Sequence, residues 1–328
     1  MTVSRVVNGE SNVRPGTREA VKTAIAALNY SPNSAARALA GAAQARIGLL
    51  YSNPGAGYFS AFLIGGLDQA RRQDVQLIVE QCDVADHGLS AARHLIDGGI
   101  DGILLPSPLN DSKELLALLT QEGTPTVLIG CGTPAEDMLA VDIDEAGAAY
   151  AMTKHLVSLG HRRIGFIVGD RAHSASGLRL DGFRAAMADS RLAVDEALIA
   201  PGLFTYRSGL DAAESLIDRD DPPTAIFASN DDMAAAAVAV AHRLGLDVPG
   251  DLTVCGFDDT ILSTVTWPEL TTIHQPIADM ARAGVEMLVL AIRARDTTAR
   301  PEHRLLDFTL VRRQSDAPPR RRPLARPA

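Results

Sequence analysis

Two groups of side chains in this sequence have types and spacings suited to chemistry, and they suit different partners. The first lies at the N-terminus. In Thr2-Val3-Ser4-Arg5-Val6-Val7-Asn8-Gly9, Ser4 and Arg5 open a segment patterned like a DNA recognition helix. A short hydroxyl and a forked cation placed there reach base edges or phosphates. The second group lies in the body of the chain, around strand-like runs. Arg179 falls in Gly177–Phe183, Phe227, Asn230 and Asp231 end the run from Thr224, Asp258 follows Leu252–Phe257, and Gln275 closes Thr-Thr-Ile-His-Gln. A guanidinium fork with carboxylate and amide groups over an aromatic face suits a polyhydroxyl compound or a nucleobase. Tyr58 and Phe59, after Asn53-Pro54-Gly55-Ala56-Gly57, either stack on such a ligand or fill the core. Asn230 either faces the ligand or caps the helix that follows it.

The residues do not assemble an enzyme. His155 and His161 are six apart, so they do not share a helical face, and Gly160 ends the helix between them. His161 is better read as fixing the turn into the next strand. There is no nucleophile elbow, P-loop or glycine fingerprint after a first strand. Cys82, Cys131 and Cys255 are far apart, odd in number and without CxxC spacing, which argues against a disulfide framework and a zinc site. No metal and no cofactor are expected.

The elements that must position these groups are of two kinds. Near the N-terminus the pattern is helical: Thr17 is a candidate N-cap for Glu19–Leu28, and Ser34–Ala40 is a short run stopped by Gly41. From Ile47 onward, strands alternate with helices. Strand-like runs cover Ile47–Tyr51, Val75–Val79, Gly102–Leu105, Pro125–Ile129, Arg163–Val168, Thr224–Ala228 and Leu252–Phe257. Helical patterns cover Phe59–Arg72, Leu89–Asp97, Glu145–Leu159, Gly177–Ala188, Ser208–Ile217 and Asp232–Leu244. This alternation predicts parallel sheets covered on both faces, and the strand count predicts two doubly wound α/β lobes. Val141–Glu145 reads as the first passage between them. In open α/β sheets ligands bind beyond the carboxyl ends of the strands, so the expected site lies between the lobes.

Composition agrees with a globular chain: 328 residues, 46% hydrophobic and 22% charged, with no apolar run approaching the ~18 residues of a membrane span. Residues 1–46 carry six Lys/Arg against two Asp/Glu, and 316–328 carry four Arg against Asp316, although the whole chain is at −9. A basic head on an acidic body suits contact with a polyanion at one end. No signal-peptide pattern is present, and a cytoplasmic location is expected.

The motifs TVSRVVNG, TREAV and LNYSPNSAARALAG, followed by the two-lobed pattern, resemble the lactose-repressor (LacI/GalR) family of bacterial transcription regulators over about residues 2–315. The resemblance implies a head over 1–41, a linker over 42–46, a core over 47–315, and a disordered basic tail over 316–328. It implies three passages between lobes near 144, 275 and 303, hence an N-lobe of 47–144 with 276–303 and a C-lobe of 145–275 with 304–315. Only Met1 precedes the recognition segment, so the helix-turn-helix head is expected to lack its first helix. Asn8, Thr17, Arg18 and Asn33 match backbone-anchoring positions, and 33–40 matches a hinge helix. There Leu39 wedges into the minor groove, and Ala36 lets two such helices approach. The loop before Tyr58 is longer than in the family, and Gly130 stands where many relatives carry an acid. The implied function is a ligand-responsive repressor binding a palindromic DNA operator as a homodimer, with a tetramer as the larger alternative. Its effector would be a sugar, a sugar derivative or a nucleoside. The alternative is a ligand-binding protein that does not read DNA specifically because its head is truncated.

Overall fold

The computed structural model describes residues 44–52, 55–82, 86, 88–132, 138–294 and 301–320, with Arg14, Gly16, Thr17, 19–21 and Thr23 in the head. Ser4, Arg5, Asn8, Arg18, Asn33, Ala36 and Leu39 lie outside the described residues. Thr17 is already helical and exposed, and its N–H bonds the carbonyl of Arg14 at 3.0 Å, so it sits inside the first turn rather than capping it. Residues 1–44 and 45–328 form separate compact units, and the second carries two parallel sheets and a two-stranded antiparallel one.

The first sheet contains β1 (Arg46–Tyr51), β2 (Gln76–Gln81), β3 (Gly102–Pro106), β4 (Thr126–Ile129), β5 (Leu139–Ile143) and β11 (His303–Leu306), in the order β11-β5-β4-β3-β1-β2. Its pairings are all parallel. Alternate residues point to opposite faces of a strand, and the burial follows that rule. Leu49, Leu104, Val127, Ile129 and Val141 join one core with α1 (Ala56–Gln73) and α9 (Ile277–Ala294). Leu50, Ile103, Leu105, Leu128 and Ala140 join another with α2 (Leu89–Asp97) and α3 (Lys113–Gln121). With both faces covered, the strands read as near-continuous apolar runs.

The second sheet has the order β7-β6-β8-β9, from β6 (Ile164–Val168), β7 (Ile199–Pro201), β8 (Ala225–Ala228) and β9 (Thr253–Cys255), again parallel. Phe166 and Phe227 face α4 (Glu145–Ser158) and α5 (Ser174–Asp189). Ile167, Ile226 and Val254 face α6 (Tyr206–Ile217) and α7 (Asp231–Arg243). A short α8 (Leu262–Val265) precedes β10 (Thr272–His274), which pairs antiparallel with β12 (Thr309–Val311).

Three expectations change. Val141–Ile143 belongs to β5, a full member of the first sheet, so the passage between sheets comes after it. The last passage falls beyond Leu306, because β11 pairs with β5 along its whole length. Residues 316–320 are held rather than disordered. His155 Nε2 lies 2.9 Å from the buried Asp316 carboxylate, His161 Nε2 donates to the Ala317 carbonyl at 2.9 Å, and Arg320 meets Asp251 at 2.6 Å. Side chains from α4, the turn after it and the loop before β9 thus capture the segment. Cys82, Cys131 and Cys255 are buried and free. Among the described residues, no helix is long and apolar enough to cross a membrane.

Candidate functional site

The carboxyl ends of both sheets meet at one partly open pocket, whose empty space of about 450 Å³ runs out into solvent. From the first sheet's side come Gly55 and Tyr58 around the start of α1, Ser107 after β3 and Gly130 after β4. The second sheet's side supplies Glu145, His173, Ala175, Arg179, Phe204, Asn230 and Asp258, with Gln275 from the passage between β10 and α9. A topology that aims both sets of strand ends at one gap therefore brings together groups 55 to 275 in sequence.

Arg179 is the centre of the polar network. It sits on α5, is 5% exposed, and donates from Nε to Glu145 Oε2 at 2.7 Å and from Nη2 to Glu145 Oε1 at 3.2 Å. Its Nη1 donates to the Ser229 carbonyl and lies 3.9 Å from Asp258 Oδ1, while the guanidinium carbon stands 3.6 Å from the centroid of the Phe257 ring. Burial opposes the charge on Arg179, but Glu145 and Asp258 outweigh it and hold its pKa above the ordinary arginine value. Burial pushes the Asp258 carboxyl well above the usual range, against the opposing pull of Arg179. Gln275 Nε2 donates to Asp258 Oδ1 at 3.2 Å.

Asp258 and Asp259 both adopt positive φ, at 107° and 60°. This backbone is costly for a side chain with a Cβ, of the order of 1–3 kcal/mol each, and persists only where the surroundings hold it. The holders are visible: Asp259 accepts from Arg313 at 2.5 Å and Ser263 at 2.9 Å, and lies 3.0 Å from His274 Nδ1. Asp231 braces the same loop from beneath.

His173, at the N-terminal boundary of α5, stacks on Phe204 with ring centroids 5.1 Å apart. Burial, followed by the nearby Arg179, pulls its pKa down to about 4 against the pull of Asp170, so the imidazole is neutral near pH 7. Ser107 is buried, and its hydroxyl has no hydrogen-bond partner.

Of the residues singled out in the sequence, Tyr58, Arg179, Asn230, Asp258 and Gln275 line this cavity. Asn230 also caps α7: its Oδ1 accepts from Met233 N at 3.0 Å and its Nδ2 donates to the Phe204 carbonyl at 2.9 Å. Three others do not line it. Phe59 stacks on Tyr51 at 3.6 Å, because α1 begins at Ala56 and successive helical positions point ~100° apart. Phe227 is fully buried edge-on against Phe166, because β8 is covered on both faces. Asp231 turns inward, accepting from Thr260 N at 2.7 Å, Thr260 Oγ1 at 3.1 Å and Thr272 Oγ1 at 2.7 Å. Glu145, His173, Phe204 and Ser107 went unnoticed in the sequence. A glutamate opening a helix ordinarily signals only a favourable charge at its N-terminus.

Asp231 carries a pH signature. Burial raises its carboxyl to about 7, against the hydrogen bonds from Thr272 and Thr260. From about pH 4 to 7 the folded chain thus keeps a proton that the unfolded chain has released, and stability falls as pH rises through this window. At ~1.4 kcal/mol per unit the ceiling is about 4 kcal/mol. Asp231→Asn is expected to remove that component, so its urea midpoint changes less between pH 5 and pH 8 than the wild-type midpoint. His173, whose pKa is lowered, acts in the opposite sense below pH ~6.5 and is common to both proteins. Equal pH slopes for the two would show that Asp231 is ionised in the folded state.

Residues 1–33 match the bacterial regulatory proteins of the lacI family, and 153–315 match the periplasmic binding protein-like domain. Catabolite control protein A of Priestia megaterium is 33% identical over 88% of this chain and 87% of its own. The HTH-type transcriptional regulator CelR of Thermobifida fusca is 36% identical over 96% and 94%. Among solved structures, a complex of the transcriptional regulator CelR with cellobiose superposes with a TM-score of 0.77 at 32% identity, covering 95% of this chain and 94% of that one. A lacI-family regulator from Mycobacterium smegmatis has a TM-score of 0.75 at 26% identity, over 84% of this chain and all of its own. With a head that matches lacI regulators, two periplasmic-binding-protein-like lobes and full-length relatives of this similarity, the chain belongs to the lacI family of ligand-responsive, DNA-binding transcriptional regulators.

Proposed function

We propose that the interlobe cavity is the effector site, and that a sugar, sugar derivative or nucleoside bound there sets how a cytoplasmic homodimer engages a palindromic operator. One observation carries the reading: Tyr58 from one lobe and Arg179 and Asp258 from the other, with Gln275 at the passage between them, converge on one pocket. A ligand touching both lobes has different contacts when they move, and that difference is what shifts a conformational equilibrium. Effector and operator affinities are then coupled reciprocally, typically by 5- to 150-fold. Ser4, Arg5, Asn8, Thr17, Arg18 and Asn33 anchor the operator in this reading, and Ala36 and Leu39 form the paired hinge.

The test uses cellobiose, ribose and adenosine as probes. Binding is read as a rise in melting temperature and operator affinity by gel shift with and without the probe. At least one probe is expected to raise the melting temperature and to change operator affinity in the wild type. Asp258→Ala should lose both responses, while Leu39→Ala should keep ligand binding and lose operator affinity. A probe that binds equally well to Asp258→Ala, or an unchanged operator affinity in Leu39→Ala, would remove the corresponding half of the proposal.

A further inference from the structure

Arg179 meets the cavity with its charge already balanced by the chain. Glu145 grips it side-on through two hydrogen bonds at 2.7 and 3.2 Å, and the Ser229 carbonyl takes a third N–H. A guanidinium has five N–H groups, so two remain for anything that enters. The paired side chains are 6% and 2% exposed, so water screens neither of them. Phe257 covers one face of the guanidinium.

An anion seeking Arg179 would therefore have to approach Glu145 at contact distance. Like charges in an unscreened site repel strongly, and displacing Glu145 would leave a buried carboxylate without its partner. Among the described residues no other cation lines the cavity: Tyr58, Ser107, Asn230 and Gln275 are uncharged, and His173 is neutral near pH 7. What the cavity offers freely is neutral hydrogen bonding. The Ser107 hydroxyl, 9% exposed and without a partner, is the clearest case.

We propose that Glu145 selects ligands by charge: by pairing side-on with Arg179 it admits uncharged hydroxyl-bearing molecules and excludes their phosphorylated or carboxylated counterparts. The proposal rests on the cavity being the effector site. It makes Glu145 a specificity-determining residue and gives Arg179 the role of an oriented neutral-pair donor rather than an anion receptor.

The experiment measures binding of inorganic phosphate, and of ribose against ribose 5-phosphate, by calorimetry and melting temperature at constant ionic strength. The proteins are the full-chain wild type, Glu145→Gln, Glu145→Asp and the double variant Glu145→Gln/Arg179→Gln. Glu145→Gln is expected to gain saturable phosphate binding at least tenfold tighter than wild type, and the double variant to lose it. Glu145→Asp, which keeps the charge, should exclude phosphate as the wild type does. If Glu145→Gln is unfolded alone, phosphate should restore a cooperative melting transition where sodium chloride does not, because the anion replaces the missing counter-charge. Wild-type binding of phosphate or ribose 5-phosphate that depends on Arg179 overturns the proposal, as does a Glu145→Gln protein that gains nothing. If no neutral probe binds the wild type, the effector reading falls, while the phosphate arm still reports whether Glu145 screens Arg179.

Discussion

Arg179→Met is expected to destabilise the folded protein by about 3–5 kcal/mol, read as a lowered urea midpoint, and to abolish any effector response. The magnitude follows from what the substitution leaves behind rather than from the pair it removes. Glu145 is 3% exposed, and its carboxylate faces Arg179. Without that partner it is a buried, uncompensated charge. The same reasoning predicts that Glu145→Met/Arg179→Met regains most of the lost stability, since two apolar side chains can replace a buried pair at little net cost. A double variant as unstable as the sum of the two single ones would show that the pair is not coupled in this way. Operator affinity should then no longer respond to any ligand, because the coupled pair spans α4 and α5 at the cavity wall.

Gly182→Ala is expected to cost about 1–3 kcal/mol or more and to weaken effector binding from three residues away. A Cβ at Gly182 would stand 2.1 Å from the Ala146 carbonyl oxygen on α4 and 2.9 Å from its carbon. Those are backbone atoms, so no rotamer change relieves the clash and the two helices must separate. Helix propensity favours alanine by about 1 kcal/mol, and the clash outweighs it. Separation of α4 from α5 would also pull Glu145 from Arg179, since Ala146 follows one and Gly182 is a turn beyond the other. Gly177, on the same helix, is the control: a Cβ there meets nothing within 4 Å. Gly177→Ala should be neutral or stabilising by up to about 1 kcal/mol. Equal effects at both positions would refute the close-approach argument.

Asp142 shows why part of the fold was hidden in the sequence. Val141-Asp-Ile-Asp-Glu reads as a polar connection, yet Asp142 lies fully buried inside β5. Its carboxylate accepts from Gly132 N at 2.9 Å and lies 2.7 Å from His303 Nε2, contributed by a strand 161 residues later. No local pattern announces a partner so far along the chain. The strands β7, β10 and β12 span three residues each, too short for periodicity to separate them from loops. Long strands and helices were legible because their spacing repeats: Leu89–Asp97 begins and ends where the apolar pattern predicts.

The candidate site divides along the same line. Asp258 and Gln275 stand next to a strand end and a passage, where an open α/β sheet binds ligands, whereas Arg179, inside α5, was marked by the family-like motif Gly177–Phe183. Alternation of strand-like and helical runs determined two covered parallel sheets, and the N-terminal motifs marked a family-like head. Tertiary structure decided which neighbour faces the cavity, Tyr58 rather than Phe59 and Asn230 rather than Asp231, because that depends on where a helix starts and what packs beneath it. It also decided that Glu145 neutralises Arg179 from another helix. Periodicity is a property of a few consecutive residues, whereas orientation and charge pairing are set by segments that meet only after the chain has folded.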